Sequence, residues 1–197
     1  IMELILIRHG LPEKVIREDG GAADPELSPN GHAQARKMAE YLKSEPISAI
    51  YSSPMRRAAQ TAAPLSELLD LPIELVDGVA EYDQQADHYI PVEQLKEEDY
   101  EAWKALMRGE LQGYDFDAFV ERAVSALNDI VSKNRGKTVA VTCHGGVVNV
   151  WAAHVLGLPP KMFFNPYYTS ISRFRAASSG EKSVITLNER HHVRDEV

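Results

Sequence analysis

Arg8-His9-Gly10 stands directly behind an apolar run, Leu4 to Ile7, where a polar triplet makes poor core material. A neutral imidazole can attack phosphorus, a flanking guanidinium can hold two phosphate oxygens in a bidentate fork, and a glycine lets the backbone come close to an anion. A turn with an incidental histidine is the plain alternative. Cys143-His144-Gly145-Gly146 repeats the arrangement behind the run Val139 to Thr142, at the opening of a helix near Val147. There His144 can donate to a phosphate oxygen, and Gly145 belongs to a helix start whose free N–H groups are ready anion donors. Ser53-Pro54-Met55-Arg56-Arg57-Ala58 puts two guanidiniums in the first turn of a helix, against its macrodipole, which an anion between them and the helix end would explain. Of the two, Arg57 is expected to face a pocket. Glu81 follows Leu75 to Ala80 at what reads as another strand end, where its carboxyl could protonate a departing alkoxide. Solvated surface positions are the alternative for Glu81 and for the arginines. It is the conjunction of two histidines and several arginines, each behind a different strand, that asks for phosphoryl transfer.

The elements that must hold these residues alternate. Leu4 to Ile7, Ile47 to Tyr51 and Val139 to Thr142 are short β-branched or leucine-rich runs of the kind buried on both faces of a parallel sheet. Between them, Ala35, Met38, Ala39 and Leu42 recur at helical spacing behind the N-cap Ser28 and Pro29. Ala58, Ala62, Leu65 and Leu69 do so behind a cap read at Ser53 with Pro54, and Val120, Ala123, Val124, Leu127 and Val131 do so again. Such alternation predicts a three-layer α/β/α sandwich on a mostly parallel central sheet, with ligands beyond the carboxyl ends of the strands. Ser170 to Arg175 and Ser183 to Leu187, flanking Ser178-Ser179-Gly180, predict an antiparallel hairpin at one side. From about 82 to 116 the alternation breaks, and this acidic, aromatic stretch with a helix near Val92 to Met107 reads as a small inserted cap in one domain spanning 1–197.

Composition bounds the partners. The 197 residues are 44% hydrophobic and carry a formal charge of −8, with no basic run that could track a nucleic-acid backbone. No segment approaches a bilayer-spanning length, and no export signal is read at the start. A lone cysteine, Cys143, allows neither an intrachain disulfide nor a thiolate zinc cage, which fits a reducing, cytoplasmic setting. Cys143 is no nucleophile of the Cys-x5-Arg kind, because Asn149 occupies the arginine position. His154, His191 and His192 lack a partner carboxylate at metal-ligand spacing, so neither a metal nor any other cofactor is expected.

These motifs resemble the histidine phosphatase superfamily, the phosphoglycerate mutase-like proteins, over nearly the whole chain. Arg8-His9-Gly10 is similar to the family signature, and Leu27-Ser28-Pro29-Asn30-Gly31 with Gln34-Ala35 to its first-helix motif. Ser53-Pro54 through Arg57-Ala58, with Gln60-Thr61-Ala62, resembles its second arginine motif, and His144-Gly145-Gly146 its second histidine motif. Asn188-Glu189-Arg190-His191-His192-Val193 is similar to a closing segment taken as structural. The resemblance implies that His9 becomes phosphohistidine, that Arg8, Arg57 and His144 hold the phosphate oxygens, that Glu81 is the proton donor, and that water releases phosphate.

The departures bear on substrate. Mutase members carry an asparagine where this chain has Val15, and their paired carboxylate-binding arginines are missing from the cap, where Arg108 stands alone. Tyr82-Asp83-Gln84 replaces the usual Phe-Gly-x-Trp-Glu-Gly after the acid. The expectation is therefore a metal-independent phosphatase acting on a small phosphorylated substrate, with a phosphoprotein also compatible. Its rivals are a mutase-type phosphotransferase and a non-catalytic phospho-ligand binding module. The sequence leaves the oligomeric state open, a dimer being compatible.

Overall fold

The computed structural model describes residues 1–111 and 113–196. Its first strand, β1 (Met2–Arg8), accounts for the unbroken apolar run: Leu4 and Leu6 point into one core cluster, Ile5 and Ile7 into another, and all four are at most 1% exposed. The chain continues through β2 (Val15–Ile16), α1 (Pro29–Leu42), β3 (Ile47–Ser52), α2 (Arg56–Leu69), β4 (Ile73–Leu75) and β5 (His88–Tyr89). Then follow α3 (Val92–Glu98), α4 (Tyr100–Met107), α5 (Phe116–Lys133), β6 (Thr138–Cys143), α6 (Gly145–Leu156), β7 (Ile171–Ala176) and β8 (Lys182–Glu189).

The fold is a mixed α/β sandwich on a six-stranded sheet of order β4-β3-β6-β1-β7-β8. β4, β3, β6 and β1 run parallel, whereas β7 is antiparallel to both β1 and β8, as the hairpin expectation had it. Helices α1 and α2 cover one face through Met38, Leu42 and Leu65, and α5 and α6 cover the other through Leu127, Val148 and Trp151. No helix among the described residues is long and apolar enough to cross a membrane.

Two local expectations are corrected. The stretch Leu75 to Ala80 is not a strand: β4 ends at Leu75, and Asp77–Val79 forms a 3-10 turn held by Arg122 of α5, whose Nη1 donates to the carbonyls of Asp77 and Gly78. The helix expected from Val92 to Met107 is two helices, divided at Asp99, whose extended backbone (φ −145°) lets its side chain accept from Ala102 N–H and cap α4. Within the same stretch β5 pairs with β2, Val15 opposite Tyr89, so the segment after His9 and the segment after Glu81 are joined as a small ribbon.

Parallel registry brings the chemistry to one edge. Arg8 lies opposite Cys143 and Ser52 opposite Thr142, so the chain leaves β1, β3 and β6 side by side. The ladder continues one residue further on each side, His9 N–H donating to Cys143 O and Ser53 N–H to Thr142 O, both at 2.9 Å. His9, Ser53 and His144 thus emerge together, at the position that sheets of this kind use for ligands.

Candidate active site

The backbone around His9 is clamped from three directions. Gly10 N–H donates to Thr61 Oγ1 and Leu11 N–H to Gln34 Oε1, each at 2.9 Å, while Thr61 itself donates to Arg57 O at 2.7 Å. The loop lies so close to α1 that a Cβ on Gly31 would meet Leu11 O at 2.1 Å. On the far side Thr169, in the left-handed region at φ 59°, donates its N–H to His9 O, and His192 Nε2 lies 3.0 Å from Thr169 O. The closing segment thereby braces the His9 loop, and Asn188 Oδ1 accepts from Tyr167 N–H in the same way.

His9 is 2% exposed, and its Nδ1 lies 2.7 Å from Gly10 O. A carbonyl can only accept, so the ring proton is on Nδ1 and Nε2 carries the lone pair. Arg57 Nε–H donates to that Nε2 at 3.3 Å. Burial, reinforced by the Arg57 and Arg8 charges, holds the His9 pKa well below its ordinary value, so the ring is neutral at physiological pH.

The two arginines are held differently. Arg8 Nη1 donates to Pro166 O at 2.6 Å and its guanidinium stacks 4.1 Å from the Tyr168 ring centre. Arg57, 1% exposed, lies over the Tyr89 ring at 4.6 Å, with Nη2 3.6 Å from Asp83 Oδ1. Its neighbour Arg56 is exposed and pairs with Glu26. The cap expected at Ser53 is not there. α2 begins at Arg56, whose N–H is capped by Asp24 Oδ1 at 2.9 Å, and the Ser53 hydroxyl lies 2.8 Å from His144 Nε2 instead.

His144 is fully buried and packs against His9, ring centres 5.2 Å apart, one layer beneath the open cavity rather than on its wall. Burial, with Arg57 next, drives its pKa well below the ordinary value. Among the described residues, three buried nitrogens around His9 have no hydrogen-bond partner: Arg8 Nε, Arg57 Nη1 and His144 Nδ1. Unsatisfied buried donors are costly, and an anion beside this imidazole would give these three a partner.

Glu81 is 8% exposed and lies at the start of α6, where Gly146 N–H donates to its Oε2 at 2.9 Å and Tyr82 N–H to its Oε1 at 3.3 Å. Burial foremost, with the nearby Asp83 carboxyl, pushes its pKa up to about 7 against the pull of Gly146 N–H and Arg57. A Cβ on residue 146 would lie 2.2 Å from Glu81 Oε1, so only glycine leaves the carboxyl its seat. Gly145 lines the cavity beside Arg8.

The structure thus brings Arg8, His9, Arg57, Glu81 and Gly145 to the wall of one cavity of about 750 Å³, with His144 directly behind His9. Sequence reasoning missed Tyr89 and Tyr168, which support the two guanidiniums, Asp83, which faces Arg57, and Ser53 as the partner of His144. The one readable signal was Ser53, a buried-strand terminus next to a proline, and it pointed to a cap. The rest depend on contacts across 26 residues or more.

A family model described as the histidine phosphatase superfamily, branch 1, matches residues 4–189. Phosphoserine phosphatase 1 of Hydrogenobacter thermophilus is 28% identical over 199 residues, 98% of this chain and 90% of that protein. The metal-independent phosphoserine phosphatase of Arabidopsis thaliana is 31% identical over 160 residues, 75% of this chain and 66% of that protein. Among solved structures, a mutant phosphoserine phosphatase of Entamoeba histolytica in complex with phosphoserine superimposes with a TM-score of 0.76 at 27% identity, covering 98% of this chain and 100% of that one. The same enzyme in complex with 3-phosphoglyceric acid gives the same TM-score and identity, covering 98% and 99%.

Proposed function

The chain belongs to the histidine phosphatase superfamily and is a phosphatase, and we propose that it hydrolyses a small phosphomonoester without a metal, through a phosphohistidine on His9. The observation that carries this reading is the set of three unpartnered buried nitrogens, on Arg8, Arg57 and His144, around a histidine whose Nδ1 is tied to Gly10 O and whose Nε2 carries the lone pair. A phosphoryl group in transfer spreads charge over three equatorial oxygens, and donors already in position need no reorganisation.

In the first step His9 Nε2 bonds to phosphorus as the ester P–O bond breaks, and the Glu81 carboxyl gives its proton to the departing alkoxide. In the second, a water oxygen bonds to phosphorus, its proton passes to the Glu81 carboxylate, and the N–P bond breaks to release inorganic phosphate. A carboxyl with a pKa of about 7 can act in both directions near neutral pH.

Two positions speak against the mutase alternative. Val15, where mutases carry asparagine, is a ribbon residue opposite Tyr89, and Arg108 is exposed and paired with Glu110. Incubation with 4-nitrophenyl phosphate and EDTA tests the proposal: nitrophenol release is expected from the native chain, and radiolabelled phosphate trapped on the protein by an alkaline quench, which an N–P bond survives, should be lost in His9→Ala. A His9→Ala variant with ordinary turnover would sink it. Losing one phosphate donor, as in Arg57→Ala, should lower turnover by about 10²–10³.

A further inference from the structure

The cavity is far larger than a phosphate needs, and its outer part differs in character from its floor. Besides Arg8, His9 and Arg57 the wall includes Leu95, Ala102, Ala105 and Leu106 of α3 and α4, together with Met162 and Phe163. Met107, Tyr114 and Phe163 remain more than a third exposed around the rim, which is where several of the chain's large exposed apolar side chains gather. The polar wall residue Asn149 is already spent: Nδ2 donates to the carbonyls of Gly145 and Phe164, and Oδ1 accepts from Phe163 N–H and Phe164 N–H.

The charge distribution is one-sided. Among the described residues, the basic side chain on the wall besides Arg8, His9 and Arg57 is His88, with Nδ1 2.8 Å from Asp87. Glu101 and Glu110 also line the opening, each paired with a cation, Lys104 or Arg108, that does not. Asp83 lies deeper, its Oδ1 without a hydrogen-bond partner and 3.6 Å from Arg57 Nη2. A substrate carboxylate beside the phosphate would meet Asp83 and Glu81 with no free cation among the described wall residues beyond those that hold the phosphate, and removal from water without a partner is costly.

We propose that this cavity is a leaving-group subsite for the monophosphate of an apolar, uncharged alcohol bulkier than serine, and that Asp83 discriminates against alcohols bearing a carboxylate. This rests on the phosphatase reading and departs from phosphoserine and 3-phosphoglycerate, the ligands of the structural relative. A cavity of about 750 Å³ suits a leaving group of that size, most of whose surface would be covered by aliphatic and aromatic side chains.

The test compares two alkyl esters whose alcohols differ in shape and charge, 3-phenylpropyl phosphate and phosphoserine. With the native enzyme, kcat/KM for 3-phenylpropyl phosphate should exceed that for phosphoserine by roughly tenfold or more, as burial of one ring implies. Leu106→Asn should lower only the phenylpropyl rate, and Asp83→Asn should shift the ratio toward phosphoserine by roughly tenfold. Binding is read separately by titrating both esters into the His9→Ala variant and, should that variant not fold, by competition of each ester with orthovanadate for the native protein. Tighter binding of the phenylpropyl ester supports the subsite even where no ester is cleaved, an outcome that defeats the phosphatase reading alone. Equal or stronger turnover and binding of phosphoserine, or a phosphoserine rate that collapses in His88→Ala, overturns the subsite and leaves the phosphatase standing.

Discussion

The Ser53 hydroxyl oxygen lies 2.8 Å from Nε2 of His144, and neither residue has any exposure to solvent. That oxygen already accepts from Met55 N–H, so its own proton has His144 Nε2 as its partner among the described residues. Nε2 then accepts, and the ring proton is on Nδ1, the atom that has no protein partner. Ser53 is in this sense a positioning residue: it is not on the cavity wall but decides which nitrogen of His144 can donate to a phosphate oxygen.

Ser53→Ala should therefore act on phosphate binding. One charge-assisted hydrogen bond is lost in part, so the Kd for inorganic phosphate should weaken by about tenfold and kcat should fall by at least as much. Calorimetry with phosphate checks the first and steady-state kinetics the second. If phosphate binds Ser53→Ala as tightly as it binds the native chain, the tautomer argument is wrong.

Activity should fall on the alkaline side because of Glu81. Its carboxyl must carry a proton when the alkoxide leaves, and with a pKa raised by burial to about 7 the protonated fraction declines above that pH. kcat/KM for an alkyl phosphomonoester should then drop about tenfold per pH unit above 7, whereas His9, held well below its ordinary value by burial and Arg57, contributes no limb near neutrality. Glu81→Gln should abolish the alkaline limb and lower the alkyl-ester rate by about 10²–10⁴, with a smaller loss on 4-nitrophenyl phosphate, whose leaving group needs no proton. An unchanged limb in Glu81→Gln would assign it to another group.

The same burial makes stability depend on pH, with two opposing signs. His9 and His144 have folded pKa values below their ordinary 6.5, so the unfolded chain binds more protons and stability falls as pH drops below about 6.5. Glu81 is raised from 4.5 to about 7, so its contribution is fully present below the unfolded value and is lost as pH rises toward 7. His154 and His192, also lowered by burial, act in the same direction as the two site histidines, and Asp83, raised by burial, acts with Glu81, so acidification below about 6.5 should on balance destabilise the chain. Thermal melts of the native chain and of Glu81→Gln check this: the variant should lose stability more steeply over that window.

Much of this could be read from the sequence because the strands are buried on both faces. Leu4 to Ile7 and Val139 to Thr142 must be apolar throughout, so the polar residues that end them, Arg8, His9 and His144, are conspicuous. Ser28 was legible as a cap because its partner, Gly31 N–H, is local. Ser53 was misread because the oxygen that caps α2 comes from Asp24, 32 residues away, which frees the serine for His144. The 3-10 turn before Glu81 was taken for strand because Arg122, which holds it, lies 44 residues further on. Tyr89 reaches Arg57 through the pairing of β5 with β2, a two-residue ribbon whose period leaves no mark in so short a run. What local pattern could not supply was, in each case, a contact made by the folded chain.

Gly146 sets the position of Glu81, the proposed acid. Its N–H donates to Glu81 Oε2 at 2.9 Å, and a Cβ there would lie 2.2 Å from Oε1 and 2.9 Å from Met162 Cε, closer than such contacts tolerate. In Gly146→Ala the Met162 end can swing away, but the carboxyl must move off the α6 N-terminus and away from the leaving oxygen. The groups proposed to hold phosphate, on Arg8, Arg57 and His144, are left in place, so the loss should fall on kcat for alkyl esters, by about 10²-fold, and much less on 4-nitrophenyl phosphate. Glu81→Asp withdraws the carboxyl by one methylene and by itself should also lower kcat. Combined with Gly146→Ala it makes room for the methyl, so the double variant should be more active than the product of the two single losses, the coupling expected of residues in contact. Strict additivity in that cycle would mean that the alanine acts on the fold of α6 and not on the seat of the acid.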